Sequence, residues 1–524
     1  MSKSTFLIAL LTCSLSALFA QVENYSAGLN GQKFDWMLFY LNEHYVDQVD
    51  ADSLTEIAIR NVASQLDRWS VYQSREEVEA QMNADKGYKG EAVGFNFYQL
   101  RDTALVTYVF RDGPSEKAGL RRGDQIIKLN GKRIVKTKYK DIQAILDDKG
   151  TDEYELSIIR NGFPMEISFN KALIPWISIT SAYMLTETIG YIKISKFTLK
   201  TMEEFLPALE NLASKGMQEL VLDLRGNSGG VKDQAVELAD QFLDEGKTIY
   251  SSKGYNQEEE ITESTKGGRW IYGKLAVLQD AYSASASELF IGAMQDWDRA
   301  VILGVSTYGK GLIQQSYKLG DGSNIRLTVG RYYSPMGRHL QRISDNENDW
   351  LDDYKDELKA NALTSALKVP EELETKTKSG RRILAGPGGI IPDIHYQHSS
   401  DEDVLFYNDM NNAGLLYEFA TTYVHEHRQD LLKQYKSVSA FMEDRIFEAF
   451  MLKDFRKFVN SRMENYRQPA NFPNNVINQL KIWMTSQLWH DNAFYEADNR
   501  DDTLMRRAKE VMEGKIHDKL GITY

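Results

Sequence analysis

From Asp35 to about Glu79 apolar residues recur every three or four positions, the spacing that gathers them on one face of a helix. Two hydroxyl residues followed three places on by glutamate, Ser53-Leu-Thr-Glu56 and Ser74-Arg-Glu-Glu77, read as capping boxes that start helices in this stretch. After Gly87-Tyr-Lys-Gly90 the period shortens to two. Val93, Phe95 and Phe97, then Ala104–Phe110, then Asp124–Leu129 closed by Asn130-Gly131, predict strands and a hairpin turn. Short helices at Pro114–Leu120 and Lys140–Asp147, with strands Tyr154–Arg160 and Met165–Phe169, complete a small β-rich domain over residues 88–171.

The following section alternates. Strands Gly190–Ile194, Glu219–Leu224, Leu275–Leu278 and Ala300–Leu303 are interleaved with helices Thr201–Leu212, Gln234–Leu243 and Ser287–Asp296, which predicts an α/β layer structure. Residues 343–380 are charged and interrupted, as in an insertion, before Gly386-Pro-Gly-Gly-Ile-Ile-Pro-Asp393 resumes an ordered turn. Residues 401–524 are helical in pattern and rich in tyrosine and charge. The expected division is a leader at 1–20, a helical N-terminal region at 21–87, the β-rich domain at 88–171, the α/β core at 172–400 and a helical C-terminal region at 401–524.

A chain of 524 residues exceeds what one core usually serves, and 42% hydrophobic with 26% charged residues is a soluble globular composition. The net charge of -13, with no stripe of Lys and Arg, excludes a nucleic-acid surface. Lys3 followed by apolar Phe6–Ala20 reads as a secretory signal peptide cleaved after Ala20, which implies an exported, periplasmic or cell-envelope protein. No later run approaches about 18 apolar residues, so no membrane span is expected in the mature chain. Cys13, the only cysteine, lies in that leader, which excludes disulfides, thiolate metal sites and a cysteine nucleophile from the mature protein. His425 and His427 lack metal-ligand helical spacing and read as a surface pair; neither metal nor cofactor is expected.

Candidate chemistry lies in three segments that close or follow strands: Leu222-Asp-Leu-Arg-Gly-Asn-Ser-Gly-Gly230, Ser283-Ala-Ser-Ala-Ser-Glu288 and Thr307-Tyr-Gly-Lys-Gly-Leu-Ile-Gln314. Strand ends are where ligands collect in open α/β sheets. Ser285 falls at a helix N-terminus, where orphan amides can stabilise a developing oxyanion; with Glu288 it also forms a plain capping box. Lys310, between two glycines and beside Leu312 and Ile313, is a site where desolvation favours a neutral amine able to take a serine proton. Gly304-Val-Ser-Thr-Tyr-Gly-Lys310 also satisfies the first seven positions of a phosphate-binding P-loop, but Gly311 stands where a Ser or Thr is needed and a strand pattern follows instead of a helix.

Gly113–Gly131, with Ala-Gly-Leu and then Gly-Asp-x-Ile-x-x-Leu-Asn-Gly, resembles a PDZ domain. Together with Leu-Asp-x-x-Ser-x-Tyr at 66–72, Gly190-Tyr-Ile-Lys-Ile, Leu-Asp-Leu-Arg with paired glycines, Ser-Ala-Ser-Ala-Ser-Glu, Tyr-Gly-Lys-Gly, Tyr332-Tyr-Ser-Pro-Met-Gly-Arg338 and Ile391-Pro-Asp393, the chain resembles the carboxyl-terminal processing, or tail-specific, proteases. The resemblance implies a ClpP/crotonase-like α/β protease core beside a PDZ domain, with helical regions on either side. It implies Ser285 as nucleophile, Lys310 25 residues on (310 − 285) as base, and Gln314 as the residue that orients that base. The oxyanion donors would be the amides of Ala286 and of Gly229 or Gly230. Asp296, eleven residues along the same helix (296 − 285), would stand about 16 Å from the serine and support structure only. Val93, Gly94, Phe95 and Asn96 occupy the loop that would hold a peptide C-terminus. Expected partners are proteins or peptides with free C-termini, with a homodimer or an adaptor protein left open. A catalytically silent PDZ scaffold is the alternative from a different class.

Overall fold

The computed structural model describes residues 28–265, 268–342, 363–364, 367–386, 388–396, 404–464, 466–489, 491–514, 516–520 and 522; the expected leader lies outside them. They form two compact units, one running to Arg75 and including Gln314–Thr328, the other holding Glu76–Ile313 and the chain from Val329 onward.

In the first unit, helices Leu29–His44 and Ala51–Ser64 precede strand Val71–Gln73, which pairs antiparallel with Asn324–Arg326. The second helix is capped by Asp50, whose carboxylate accepts from the Ser53 amide at 3.0 Å. Ser53 therefore sits inside the first turn instead of at the cap, because the helix starts three residues earlier on Asp50, an equally good capping residue.

The second unit begins with the β-rich domain. Its antiparallel sheet runs in the order Phe95–Leu100, Thr103–Val109, Gln125–Leu129, Glu153–Arg160, Phe163–Asn170. Asn130 and Gly131 both have positive φ, 49° and 74°, as a two-residue hairpin turn matched to strand twist requires. Val106, Ile126, Leu129, Tyr154 and Leu156 pack against Ile142 and Leu146 of helix Tyr139–Leu146. Phe95–Leu100 is the edge strand beside that helix.

The α/β core is a six-stranded sheet in the order Ile179–Met184, Ile189–Ile194, Glu219–Asp223, Lys274–Gln279, Val301–Gly304, Ile394–His395. The first pair is antiparallel and the rest are parallel, with Ile192, Leu222, Val277 and Ile302 in register. Near-continuous apolar strands of this kind need cover on both faces. On one face lie helices Thr201–Ser214, Lys232–Asp240 and Ala286–Asp296. The other face is covered from far along the chain, by Leu504, Met505, Ala508, Val511 and Met512 of helix Thr503–Glu513. The remaining C-terminal helices build their own core around Phe419, Phe441, Phe455 and Leu480.

Of the stretch read as an insertion, residues 343–362 and 365–366 lie outside the described residues. Its latter part forms a hairpin, Glu374–Lys376 with Arg382–Leu384, anchored where Arg381 pairs with Asp298 and Asp393. His425 is a correction: half-buried, its Nε2 accepts from the Gln125 side-chain amide at 2.9 Å, so it joins a C-terminal helix to the β-rich domain instead of lying on a free surface.

Candidate active site

The three segments singled out in the sequence leave the C-terminal ends of adjacent parallel strands at Asp223, Gln279 and Gly304. Backbone and buried side chains knit them together. Ala284 N donates to Asn227 O at 3.0 Å, Ser287 Oγ donates to the same carbonyl at 2.9 Å, and Ser283 Oγ donates to Leu224 O at 2.9 Å. Tyr308 N donates to Ser283 O at 3.0 Å, joining the third segment to the second.

Ser285 is the N-cap of helix Ala286–Asp296 and has φ 55° and ψ −114°. A non-glycine residue held at positive φ is strained and persists only where its surroundings fix it. Here they do: from Ser283 to Asp296 every residue except Ser285 is buried. The one accessible residue of that stretch is a hydroxyl on a sharp strand-to-helix turn, the geometry that presents a nucleophile.

Glu288 fixes both that turn and the lysine turn. Its fully buried carboxylate accepts from Ser285 N (2.7 Å) and Lys310 N (2.8 Å) on one oxygen, and from Thr307 Oγ1 (2.6 Å) and Gly309 N (2.6 Å) on the other. Burial pushes its pKa up, against the pull of those four donors. What reads in sequence as a helix cap is thus a bridge between Ser285 and Lys310. Lys310 is half-buried and is followed by strand Leu312–Lys318, not by a helix, so the phosphate-loop reading finds no helix N-terminus to use.

Gly229 has φ +94° and lies against the serine: a Cβ on it would stand 2.9 Å from Ser285 Cβ and 3.0 Å from Ala286 N. Its amide is engaged, donating to Asn227 Oδ1 at 2.9 Å. Asn227 is fully buried and also donates to Ile194 O at 3.0 Å, which sets the shape of this loop. For the amides of Gly230 and Ala286 no acceptor is present among the described residues.

Gln314 belongs to the other compact unit, where its Nε2 donates to Trp69 O at 2.7 Å. The Leu66–Tyr72 motif shapes that contact: Asp67 Oδ1 accepts the amides of Trp69 and Ser70, both at 2.7 Å. Burial would raise the Asp67 carboxyl, but the Trp69 and Ser70 donors outweigh it and hold it below its usual value. Asp296 is buried away from the serine, accepting from Arg338 Nη2 at 2.5 Å and Met336 N at 2.9 Å, so it fixes the Ser334–Arg338 turn. Val93, Gly94, Phe95 and Asn96 line one cavity of about 620 Å³ with Phe110, Leu146 and Ile174. Asn227 and Thr307 lay inside the quoted motifs without a role; the available signal for Asn227 was a polar side chain between Gly226 and Ser228 at a strand end, and none marked Thr307. Among the described residues no cluster of three or more His, Cys, Asp or Glu could hold a metal ion, and no helix is long and apolar enough to cross a membrane.

Residues 188–347 match peptidase family S41, residues 105–160 match the PDZ domain, and residues 406–491 match a family of unknown function. Fold and matches together define a PDZ-bearing protease. The chain is 29% identical over 336 residues to the carboxy-terminal processing protease CtpA of Bacillus subtilis (strain 168), covering 63% of this chain and 72% of that protein. It is 30% identical over 317 residues to a probable CtpA-like serine protease of Staphylococcus aureus (strain N315), covering 59% and 62%, so it spans less than two thirds of that relative. Among solved structures, the photosystem II D1 C-terminal processing protease is 25% identical, with 58% and 83% covered and a TM-score of 0.36. Residues 188–347 are those of a peptidase family S41 domain, and the chain is similar to the carboxy-terminal processing proteases.

Proposed function

We propose that this protein is a serine endopeptidase that cleaves exported proteins at or near their C-termini, with Ser285 as nucleophile and Lys310 as general base. The observation that carries the reading is the shared Glu288 carboxylate, which binds the amides of both residues around the one accessible, strained serine. In this mechanism the neutral Lys310 amine takes the Ser285 hydroxyl proton as Oγ attacks the scissile carbonyl carbon. The oxyanion forms against the Gly230 and Ala286 amides; Gly229 is the weaker candidate because its amide already has an acceptor. Lys310 then returns the proton to the leaving amine, and water resolves the acyl-enzyme by the same route. Gln314 orients the base; an uncharged amide suits that task because a carboxylate would hold the lysine protonated.

The PDZ cavity at Val93–Asn96 receives the substrate's C-terminal residues, on the support of an unpaired edge strand beside helix Tyr139–Leu146. The parallel sheet with helices on both faces supports the ClpP/crotonase-like reading. The apolar Phe6–Ala20 segment supports export to the periplasm or cell envelope, which N-terminal sequencing of the mature protein would check. Helix Leu29–His44 has no buried residue, which favours cover by a second copy or an adaptor; a monomer in light scattering would exclude the former.

The central test is hydrolysis of an unfolded protein by the wild type, Ser285→Ala and Lys310→Ala. Each variant should lose about three orders of magnitude or more in turnover. Equal rates in all three would end the serine-lysine assignment.

A further inference from the structure

The helical region beyond residue 404 lies outside the peptidase match, yet one of its side chains reaches the root of the loop that carries Gly229 and Gly230. Strand Glu219–Asp223 ends on a fully buried aspartate. Asp223 accepts from Tyr191 OH at 2.9 Å and, two residues on, from Arg225 N at 2.9 Å and Arg225 Nη2 at 2.8 Å. Burial opposes the Asp223 charge, but Arg225 and Lys193 outweigh it and hold the carboxyl far below its usual value.

Arg225 is thereby folded back over the strand end, with its carbonyl held by Lys193 Nζ at 3.0 Å. Its remaining terminal nitrogen, Nη1, donates to Asp502 Oδ2. The other oxygen of Asp502 caps helix Thr503–Glu513, accepting from Leu504 N at 2.8 Å. That helix is seated on the sheet by its apolar stripe and by Lys274 Nζ, which donates to Met512 O at 2.5 Å. Asp502 is therefore a fixed anchor and not a mobile surface charge, and the next residue after Arg225 opens the loop to Gly230.

We propose that Asp502 is a positioning residue of the active site: by holding the Arg225 guanidinium it fixes the Gly226–Gly230 loop so that the Gly230 amide meets the oxyanion. The proposal rests on the oxyanion role given to Gly230 above. It makes the C-terminal helical region part of the catalytic apparatus, supplying no reacting atom but setting where one donor stands. Two carboxylates grip one guanidinium from opposite sides, and the fork geometry of arginine lets it bridge them.

Asp502→Asn separates the two tasks of this side chain, because asparagine can still cap the helix but presents no charge to Arg225. On an unfolded protein substrate, Asp502→Asn should lower kcat about tenfold or more with KM within about twofold, the pattern of a displaced transition-state donor. Asp502→Glu, which keeps the charge, should recover part of the loss. Hydrogen exchange should quicken at the amides of Gly226–Gly230 while Thr503–Glu513 stays protected. Wild-type kcat and loop exchange in Asp502→Asn would overturn the proposal, as would exchange rising equally through helix 503–513, which would mean lost docking of the helix. Ser285→Ala run alongside separates the two layers: if that variant still cleaves, the oxyanion reading and the catalytic part of this proposal fall together. If it is inactive and Asp502→Asn is unimpaired, only the present proposal falls.

Discussion

Replacing Glu288 by glutamine should uncouple activity from stability. The carboxylate carries four donors, two on each oxygen. In Glu288→Gln one of those oxygens becomes an NH2 group, which cannot accept. With the NH2 toward Thr307, its hydroxyl can turn but the Gly309 amide is stranded; with the NH2 toward the serine, the amides of Ser285 and Lys310 both are. Each stranded buried amide costs about 1–3 kcal/mol. Against this, the substitution removes a fully buried charge whose desolvation already raises the pKa of the acid. The two effects are of similar size and opposite sign, so the melting temperature should move little. Turnover should not be spared, because Ser285 and Lys310 lose a common acceptor, and displacement by about 1 Å costs on the order of a hundredfold in rate. A raised folded pKa means that this group's stabilising contribution is full below the ordinary value of 4.5 and is lost as pH rises through the folded value. Acidification through that window should therefore raise the wild-type melting temperature relative to Glu288→Gln. Thermal scans and hydrolysis of an unfolded protein, run on both proteins between neutral pH and pH about 4.5, decide the matter. Turnover within about twofold of wild type would refute the bridge, and a collapsed melting temperature would refute the balance of the two terms.

Gly229→Ala should abolish peptide hydrolysis, since its Cβ would stand 2.7 Å from Ala284 O and 2.9 Å from Ser285 Cβ; Gly230→Ala should also lower the melting temperature, its Cβ falling 1.9 Å from Phe197 O. Steady-state rates and thermal scans distinguish them. Arg225→Met leaves Asp223 buried with Lys193 at 3.4 Å as its remaining cation, and should destabilise the protein by about 3–5 kcal/mol at neutral pH. Because the Asp223 pKa is depressed, its contribution is present above the ordinary value of 3.8 and lost as pH falls, so the deficit in thermal stability should shrink below that value. Peptides with a free, apolar C-terminus should bind about tenfold or more tightly than their amidated forms in fluorescence anisotropy, and equal affinities would remove the PDZ cavity from substrate selection. Amidated peptides are a cleaner probe than a Gly94 substitution, because Gly94 has φ +84° and any Cβ there meets Pro114 at 2.9 Å.

Much of the candidate site was legible because its parts are local. Each loop follows an apolar strand within a few residues, and small residues at those strand ends mark close backbone approach, so Ser285, Lys310 and the paired glycines could be picked from short motifs. What the motifs hid was long-range. Ser-x-x-Glu looks the same whether its carboxylate only caps a helix or also reaches Thr307, Gly309 and Lys310, some twenty residues on. The short strand Ile394–His395 carries no periodic signal, being two residues long, yet it closes the sheet edge. Asp50 displaced Ser53 as a cap because two acceptable capping residues lay three apart, a choice that pattern alone does not make. The stripe Leu504, Met505, Ala508, Val511 and Met512 was visible as a helix, but nothing in its spacing says that it faces a sheet begun some three hundred residues earlier.

That distant helix sets an order of events during synthesis. A ribosome that has made Ser285, Lys310 and even the strand at Ile394–His395 has still not made the segment that covers the sheet's second face. Until residues 503–513 emerge, Ile189, Tyr191, Val221, Ala276 and Val301 lack the helix that covers that side, with only neighbours such as Tyr183 and Tyr495 packed against them, so stalled nascent chains should be sensitive to protease pulses.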